Sequence, residues 1–244
     1  MLALGIVVGS AILLLIITFL RRKSPAVLRR IEAYERLNRV VGLSVENGTR
    51  LHISLGRGNL FTTRGASALA GLAMLRRLTE RTSMSDRPPI VTSGDASLSI
   101  LSQDTLQAGY SAAGAEDQYR VNTGRLTGLT PFSYAAGTIP VTRDEAVSAN
   151  IVIGDFGAEA ALLVEAADRE DTHLIAVSDN LSAQSILYAS AQDPLIGEEL
   201  FASGAYVGAG HSHDASLQVQ DVLRWLVIVA IVGGAVFKFW GINF

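Results

Sequence analysis

Three aspartates stand directly behind short apolar runs: Asp95 in "PIVTSGD", Asp155 in "NIVIGDFG" and Asp179 in "HLIAVSD". If those runs are neighbouring strands, the carboxylates share one edge, where they can hold a cation or act as general bases. Arg57 in "GRGN", with Arg64 following, would bring positive charge to the same edge. The structural alternative is that an aspartate after a strand caps the next helix.

A second group is "GAGHSHDAS" at 208–216, where His211, His213 and Asp214 lie close together. Two histidines and a carboxylate suit zinc or another divalent metal. The stretch is also glycine-rich and precedes an apolar segment, so a solvated linker over 208–220 is the plainer expectation.

Phosphate chemistry is poorly supported. A dinucleotide loop needs G-x-G-x-x-G so that the backbone can approach a pyrophosphate. "GDFGAE" has only G-x-x-G, and its Asp155 and Glu159 would repel phosphate. "GRGNLF" lacks the third glycine. No G-x-x-x-x-G-K-[ST] occurs, and the only lysines are Lys23 and Lys238. There is no G-x-S-x-G elbow, and without cysteine there is neither a thiolate metal site nor a cysteine nucleophile. The expectation is a structural turn at "GDFG", with no cofactor and no catalytic residue.

The elements that would position these loops alternate. Strand-like runs occupy 50–56, 89–95, 125–131, 150–157 and 173–179. Helical patterns follow in "ASALAGLAMLRRLTE", "ASLSILSQDTLQAGY", "GAEAALLVEAADRE" and "LSAQSILYASAQ". The gap between the third and fourth strands is less regular, with a short helical piece near "RDEAVSA". Such alternation predicts an α/β domain over 43–207, a mainly parallel Rossmann-like sheet with helices on both faces.

Apolar segments flank this domain. Residues 1–20 carry no charge and are followed by "RRK", enough length to span a hydrocarbon core of roughly 30 Å. A cleavable signal peptide would carry its positive charge before the apolar run instead. At 221–241 a second span has Arg224 and Lys238 at its margins and Trp225 and Trp240 near its ends, as interfacial side chains do. Gly5 with Gly9, and Ala230 with Gly234, have the small-residue spacing that lets helices approach closely, within the chain or between subunits.

Between the first span and the domain, 21–42 reads as a basic helix that starts near Ser24 and Pro25 and stops at Gly42. Arg21, Arg22, Lys23, Arg29 and Arg30 suit anionic lipid headgroups, and nothing accompanying them suggests nucleic acid. By the positive-inside rule the central domain is cytosolic and both termini lie outside the cytoplasmic membrane.

The net charge of −3 conceals an uneven distribution. Residues 41–143 carry ten basic and seven acidic side chains, whereas 144–220 carry Arg169 alone against thirteen acids. Copies that meet basic face to acidic face would form rings or filaments.

The stretches "PPIVTSGD", "QDTL", "GLTPFSYAAG", "PLIGEELFASGAY" and "DVLRW" together resemble a family of small bacterial and archaeal membrane proteins known only as a domain of unknown function. The resemblance implies membrane residence and assigns no activity, ligand or catalytic residue. The leading expectation is therefore a non-enzymatic, self-assembling homo-oligomer. A sensor or enzyme that uses the acidic strand ends, and an accessory subunit of a larger membrane complex, are the alternatives.

Overall fold

The computed structural model describes residues 2–21, 28–63 and 65–239, which divide into two compact units. Arg30–Ala209 form one, and the two terminal segments form the other.

In the larger unit, α2 (Glu32–Glu46) leads into β1 (Arg50–Gly56), α3 (Gly65–Thr82), β2 (Ile90–Ser93) and α4 (Ala96–Ala112). Then come β3 (Gly124–Leu126), α5 (Pro131–Asp144), β4 (Val147–Asp155), α6 (Ala160–Arg169), β5 (His173–Ser178), α7 (Leu181–Ser190), β6 (Asp193–Pro194) and α8 (Glu199–Tyr206). The six strands form one sheet in the order β3-β2-β1-β4-β5-β6, every pair parallel. This is the doubly wound order, which reverses direction between β1 and β4. Parallel strands need crossovers of one hand, so the helices divide between two faces as the winding reverses.

Each face has its own core. On one, Leu51, Ile53 and Leu55 of β1 and Ala149, Ile151 and Ile153 of β4 pack under α2, α3 and α8. On the other, Val152, Leu174 and Ala176 meet Tyr134 of α5, Leu163 and Val164 of α6 and Leu187 of α7.

The five expected strands are present, and a two-residue sixth closes the far edge. Three expectations are corrected. The helical piece expected at "RDEAVSA" is instead the end of α5 and the start of β4. The third strand ends at Leu126, because Thr130 begins a helix there: its side chain accepts from Ser133 N–H, Ser133 reciprocates, and Pro131 sits in the first turn. Burial of Tyr134, Ala135, Thr138 and Val141 holds that helix together despite an internal Pro140. The basic helix does not stop at Gly42 either; α2 runs from Glu32 to Glu46, and residues 28–31 are not helical.

In the smaller unit, α1 (Leu2–Arg21) packs beside α9 (His211–Phe239). Among the described residues α9 alone is long and apolar enough to cross a membrane, over His211–Val236. The apolar part of α1, Leu4–Leu20, is shorter. The expected linker at 208–220 is a correction, since the helix already begins at His211. Gly208 and Gly210 turn the chain before it, and Asp214 in its first turn suits the positive end of the helix dipole. Gly5, Gly9 and Gly234 do not mediate the α1–α9 pairing. A Cβ added at any of them would meet nothing within 4 Å, and Ala230 is exposed.

Candidate functional site

In a doubly wound sheet the ligand crevice lies beyond the carboxyl ends of the strands, at the reversal between β1 and β4. The strand order does bring Asp95, Arg57, Asp155 and Asp179 to that edge, behind β2, β1, β4 and β5 respectively.

Asp95 is a helix cap. Its carboxylate accepts from Ser97 N–H at 3.0 Å, Leu98 N–H at 3.1 Å and the Asn59 side-chain amide at 3.1 Å. Burial pushes this carboxyl up, but the Ser97 hydroxyl together with those donors outweighs it and holds the group below the ordinary range. Asp155 ends β4 as a buried residue, and its carbonyl accepts from Arg57 N–H at 2.9 Å. Asp179 is half-buried in the loop behind β5. Arg64 lies outside the described residues.

At the reversal the two backbones lie very close together. A Cβ on Gly56, which has φ +71°, would stand 2.3 Å from the Asp155 carbonyl oxygen. One on Gly154, at φ +141°, would stand 2.2 Å from that of Leu55. Only glycine allows β1 and β4 to approach this closely.

The loop "GDFGAE" is filled from within. Phe156 is buried in the core, its ring 6.3 Å from that of Tyr134. Glu159, only 2% exposed, pairs with Arg57 at 3.0 Å. Burial would raise this carboxyl, yet the backbone N–H groups of Gly157 and Glu159, together with the Arg57 guanidinium, hold it below the usual carboxylate range. A nucleotide-binding loop would offer backbone N–H groups of this kind to a phosphate. Here the chain's own carboxylate faces them, and Arg57 neutralises it.

Sequence reasoning missed a polar seam beneath α5. His52 of β1 lies 2.7 Å through Nδ1 from Asn150 Oδ1 and 2.9 Å through Nε2 from Thr92 Oγ1. Asn150 donates to Thr172 Oγ1 at 2.6 Å, and Thr172 donates to the Ala167 carbonyl at 3.2 Å. Because Thr172 donates onward, it must accept from the Asn150 amide. That turns Asn150 Oδ1 toward His52 and places the imidazole proton on Nδ1. The seam ends at the Tyr134 hydroxyl, which contacts Thr92, Ser54 and the backbone N–H of Gly56. Burial drives the His52 pKa down to about 4, with the nearby charge of Arg125 adding to it. A neutral, enclosed histidine is a positioning group here.

A second missed cluster lies between α2 and the β5–β6 edge. The fully buried Asp193 carboxylate takes Arg36 on one oxygen and His173 Nε2, at 2.7 Å, on the other. It ties α2 to the last strand. "AQDPL" gave no signal of this, because Asp193 finds both partners far away in sequence.

The proposed metal ligands do not converge. His211, His213 and Asp214 occupy the first turn of α9, and no three His, Asp or Glu side chains form a metal-ready group among the described residues. Of the basic set, Arg30 pairs with Glu35 at 2.6 Å as an exposed bidentate contact. Arg29 is exposed and the Arg21 backbone ends α1; Arg22 and Lys23 lie outside the described residues.

Comparison with known proteins gives one family-level result: a domain of unknown function (DUF6754) matches residues 1–244. No curated protein and no solved structure matches the chain.

Proposed function

The chain belongs to the DUF6754 family, a membership that brings no activity with it, and from its own residues we propose that it is a membrane-anchored, non-enzymatic α/β domain that works by assembling with further copies of itself. One observation carries this reading. The doubly wound order converts a charge asymmetry along the sequence into one across the sheet. Residues 50–126, which supply β1 to β3, carry nine basic and six acidic side chains. Residues 147–206, which supply β4 to β6, carry Arg169 against ten acids. One half of the sheet is therefore basic relative to the other, and such a domain attracts its own kind side by side.

The strand-end chemistry supports the same conclusion by default. Asp95 caps a helix, Glu159 and Arg57 satisfy each other, and the β1 and β4 backbones at the reversal leave no room for a side chain between them. A ligand would have to displace these contacts before gaining any of its own.

In this reading α9 spans the cytoplasmic membrane, with α1 beside it. The basic residues from Arg21 to Arg30 meet anionic headgroups on the cytosolic side, and both termini lie outside. The unfilled small-residue faces at Gly5, Gly9 and Gly234 leave room for neighbouring helices.

The test is the mass of the full-length protein in mild detergent, by light scattering at low and high salt. A discrete assembly at low salt that loses mass at high salt is the expected result. A monomer at every salt concentration overturns the proposal and turns attention to calorimetry with divalent metals and nucleotides.

A further inference from the structure

Asparagine is followed by glycine once in the chain, at Asn47–Gly48, and this pair ends α2. The helix closes on a Schellman turn. Thr49 N–H donates to the Ser44 carbonyl at 3.0 Å and Gly48 N–H to the Val45 carbonyl at 3.3 Å, with Gly48 in the left-handed region at φ +62°. Glycine suits that position because it carries no Cβ. The same lack of a side chain leaves its nitrogen unshielded. Asn47 is exposed, and among the described residues its side chain makes no hydrogen bond.

We propose that Asn47 is a modification site, where the chain deamidates itself whenever this turn opens. The Gly48 amide nitrogen, having lost its proton to solvent base, attacks the side-chain carbonyl carbon of Asn47. A C–N bond forms, the bond to Nδ2 breaks, and the departing nitrogen takes a proton from water and leaves as ammonia. The five-membered succinimide then adds one water at either carbonyl. One opening yields aspartate; the other yields isoaspartate, with the main chain routed through the former side chain. The net exchange is one water in and one ammonia out.

The fold gates the first step. In the closed turn the attacking nitrogen is engaged with Val45, and Asn47 sits at φ −85° and ψ −3°. Ring closure requires rotation about the Asn47 Cα–C bond and loss of that hydrogen bond, so the last turn of α2 must fray first. The other described asparagines lack this combination. Asn38, Asn59, Asn150 and Asn180 hold hydrogen bonds through their side chains. Asn122 precedes a β-branched threonine.

Either product places a carboxylate beside Glu46 at the C-terminal end of α2, where the helix dipole opposes negative charge. Isoaspartate also adds a methylene to the main chain of the turn that joins α2 to β1, so the Schellman geometry is not rebuilt. The modified chain therefore keeps a record of how often this end of α2 has opened.

The test ages full-length protein in mild detergent at mildly alkaline pH and maps amide-to-acid conversion by mass spectrometry of its peptides. A synthetic peptide of residues 45–49 and the full chain unfolded in guanidinium are aged alongside. The expected result is conversion at Asn47 ahead of every other asparagine, slower than in the peptide by about tenfold or more, and restored to the peptide rate on unfolding. Leu43→Gly lies on the exposed side of the last turn and frays it, so it should raise the folded-state rate by about fivefold. A folded chain that converts as fast as the peptide, or that ignores Leu43→Gly, overturns the gate. An Asn47 that stays intact in the unfolded chain, or converts after another asparagine, overturns the site.

Discussion

β1 and β4 look in two directions, and the two interiors they face are built on different principles. On one side, Leu51, Ile53, Leu55, Ala149, Ile151 and Ile153 meet helices through hydrocarbon alone. On the other, beside the apolar Val152, Ser54 and Asn150 bond to Tyr134 and Thr142 of α5, while His52 bonds to Asn150 and to Thr92 of the neighbouring strands. Apolar packing is non-directional and tolerates exchanges that conserve volume. A buried polar seam requires each donor to find its acceptor, so it fixes the position of the helix above it. The aliphatic side contributes burial without direction, and the hydrogen bonds beneath α5 fix its register.

The sharpest way to break this comparison is on the aliphatic side. Ile53 is fully buried at the centre of that face. Ile53→Ala removes methylenes from a close-packed site and leaves a cavity, which should cost about 4 kcal/mol. Ile53→Val should cost about 1 kcal/mol. The denaturant midpoint of the two full-length variants measures both. Near-equal, small losses would mean that this face is loosely packed and does not carry the fold.

On the polar side the largest effect is pH dependence. Buried His52 has its pKa lowered to about 4, whereas in the unfolded chain it titrates near 6.5. Between those values the unfolded state takes up a proton that the folded state refuses. The contribution of His52 is therefore complete above about pH 6.5, falls as the pH drops, and levels off below about pH 4, for a loss of about 3 kcal/mol from this one group. His52→Gln can keep a donor and an acceptor without titrating, and should flatten the profile through that window. A wild-type profile already flat between pH 4 and 6.5 would contradict the enclosure of the imidazole.

That histidine also marks the limit of what the sequence discloses. "RLHISLG" is legible as a strand, and its bounds agree with β1. The expected helices on both faces, however, do not say which of them covers the polar side of this strand. Nothing nearby announces that α5 would cover His52 and Ser54. The segment that does so, "PFSYAAGTIPVTRD", carries an internal proline and β-branched residues, which disguise a helix stabilised by burial. The strand-end aspartates were legible as a shared edge, because alternation with helices implies a parallel sheet. The capping role of Asp95 was legible too, as the structural alternative, because its partners Ser97 and Leu98 follow directly, whereas Glu159 shows its pairing only through Arg57, 102 residues away. Local pattern locates loops, while long-range partners decide what the loops do.

The finest test separates orientation from mere burial at the end of the seam. The Tyr134 hydroxyl meets Ser54, Thr92 and the Gly56 N–H, and it is fully enclosed. Tyr134→Phe keeps the ring against Phe156 and removes only that hydroxyl. The backbone N–H of Gly56 then loses its partner, and the expected cost is about 1 to 2 kcal/mol. Ser54→Ala alone should cost less, because the tyrosine keeps its other contacts. If the seam acts as a unit, the double variant will fall short of the sum of the singles by about 0.5 kcal/mol or more, since the second deletion removes a group already deprived of its partner. Strict additivity would mean that the hydroxyls are buried side by side without coupling. The register of α5 would then have to come from the Tyr134–Phe156 ring contact and the Thr130–Ser133 cap rather than from the polar seam.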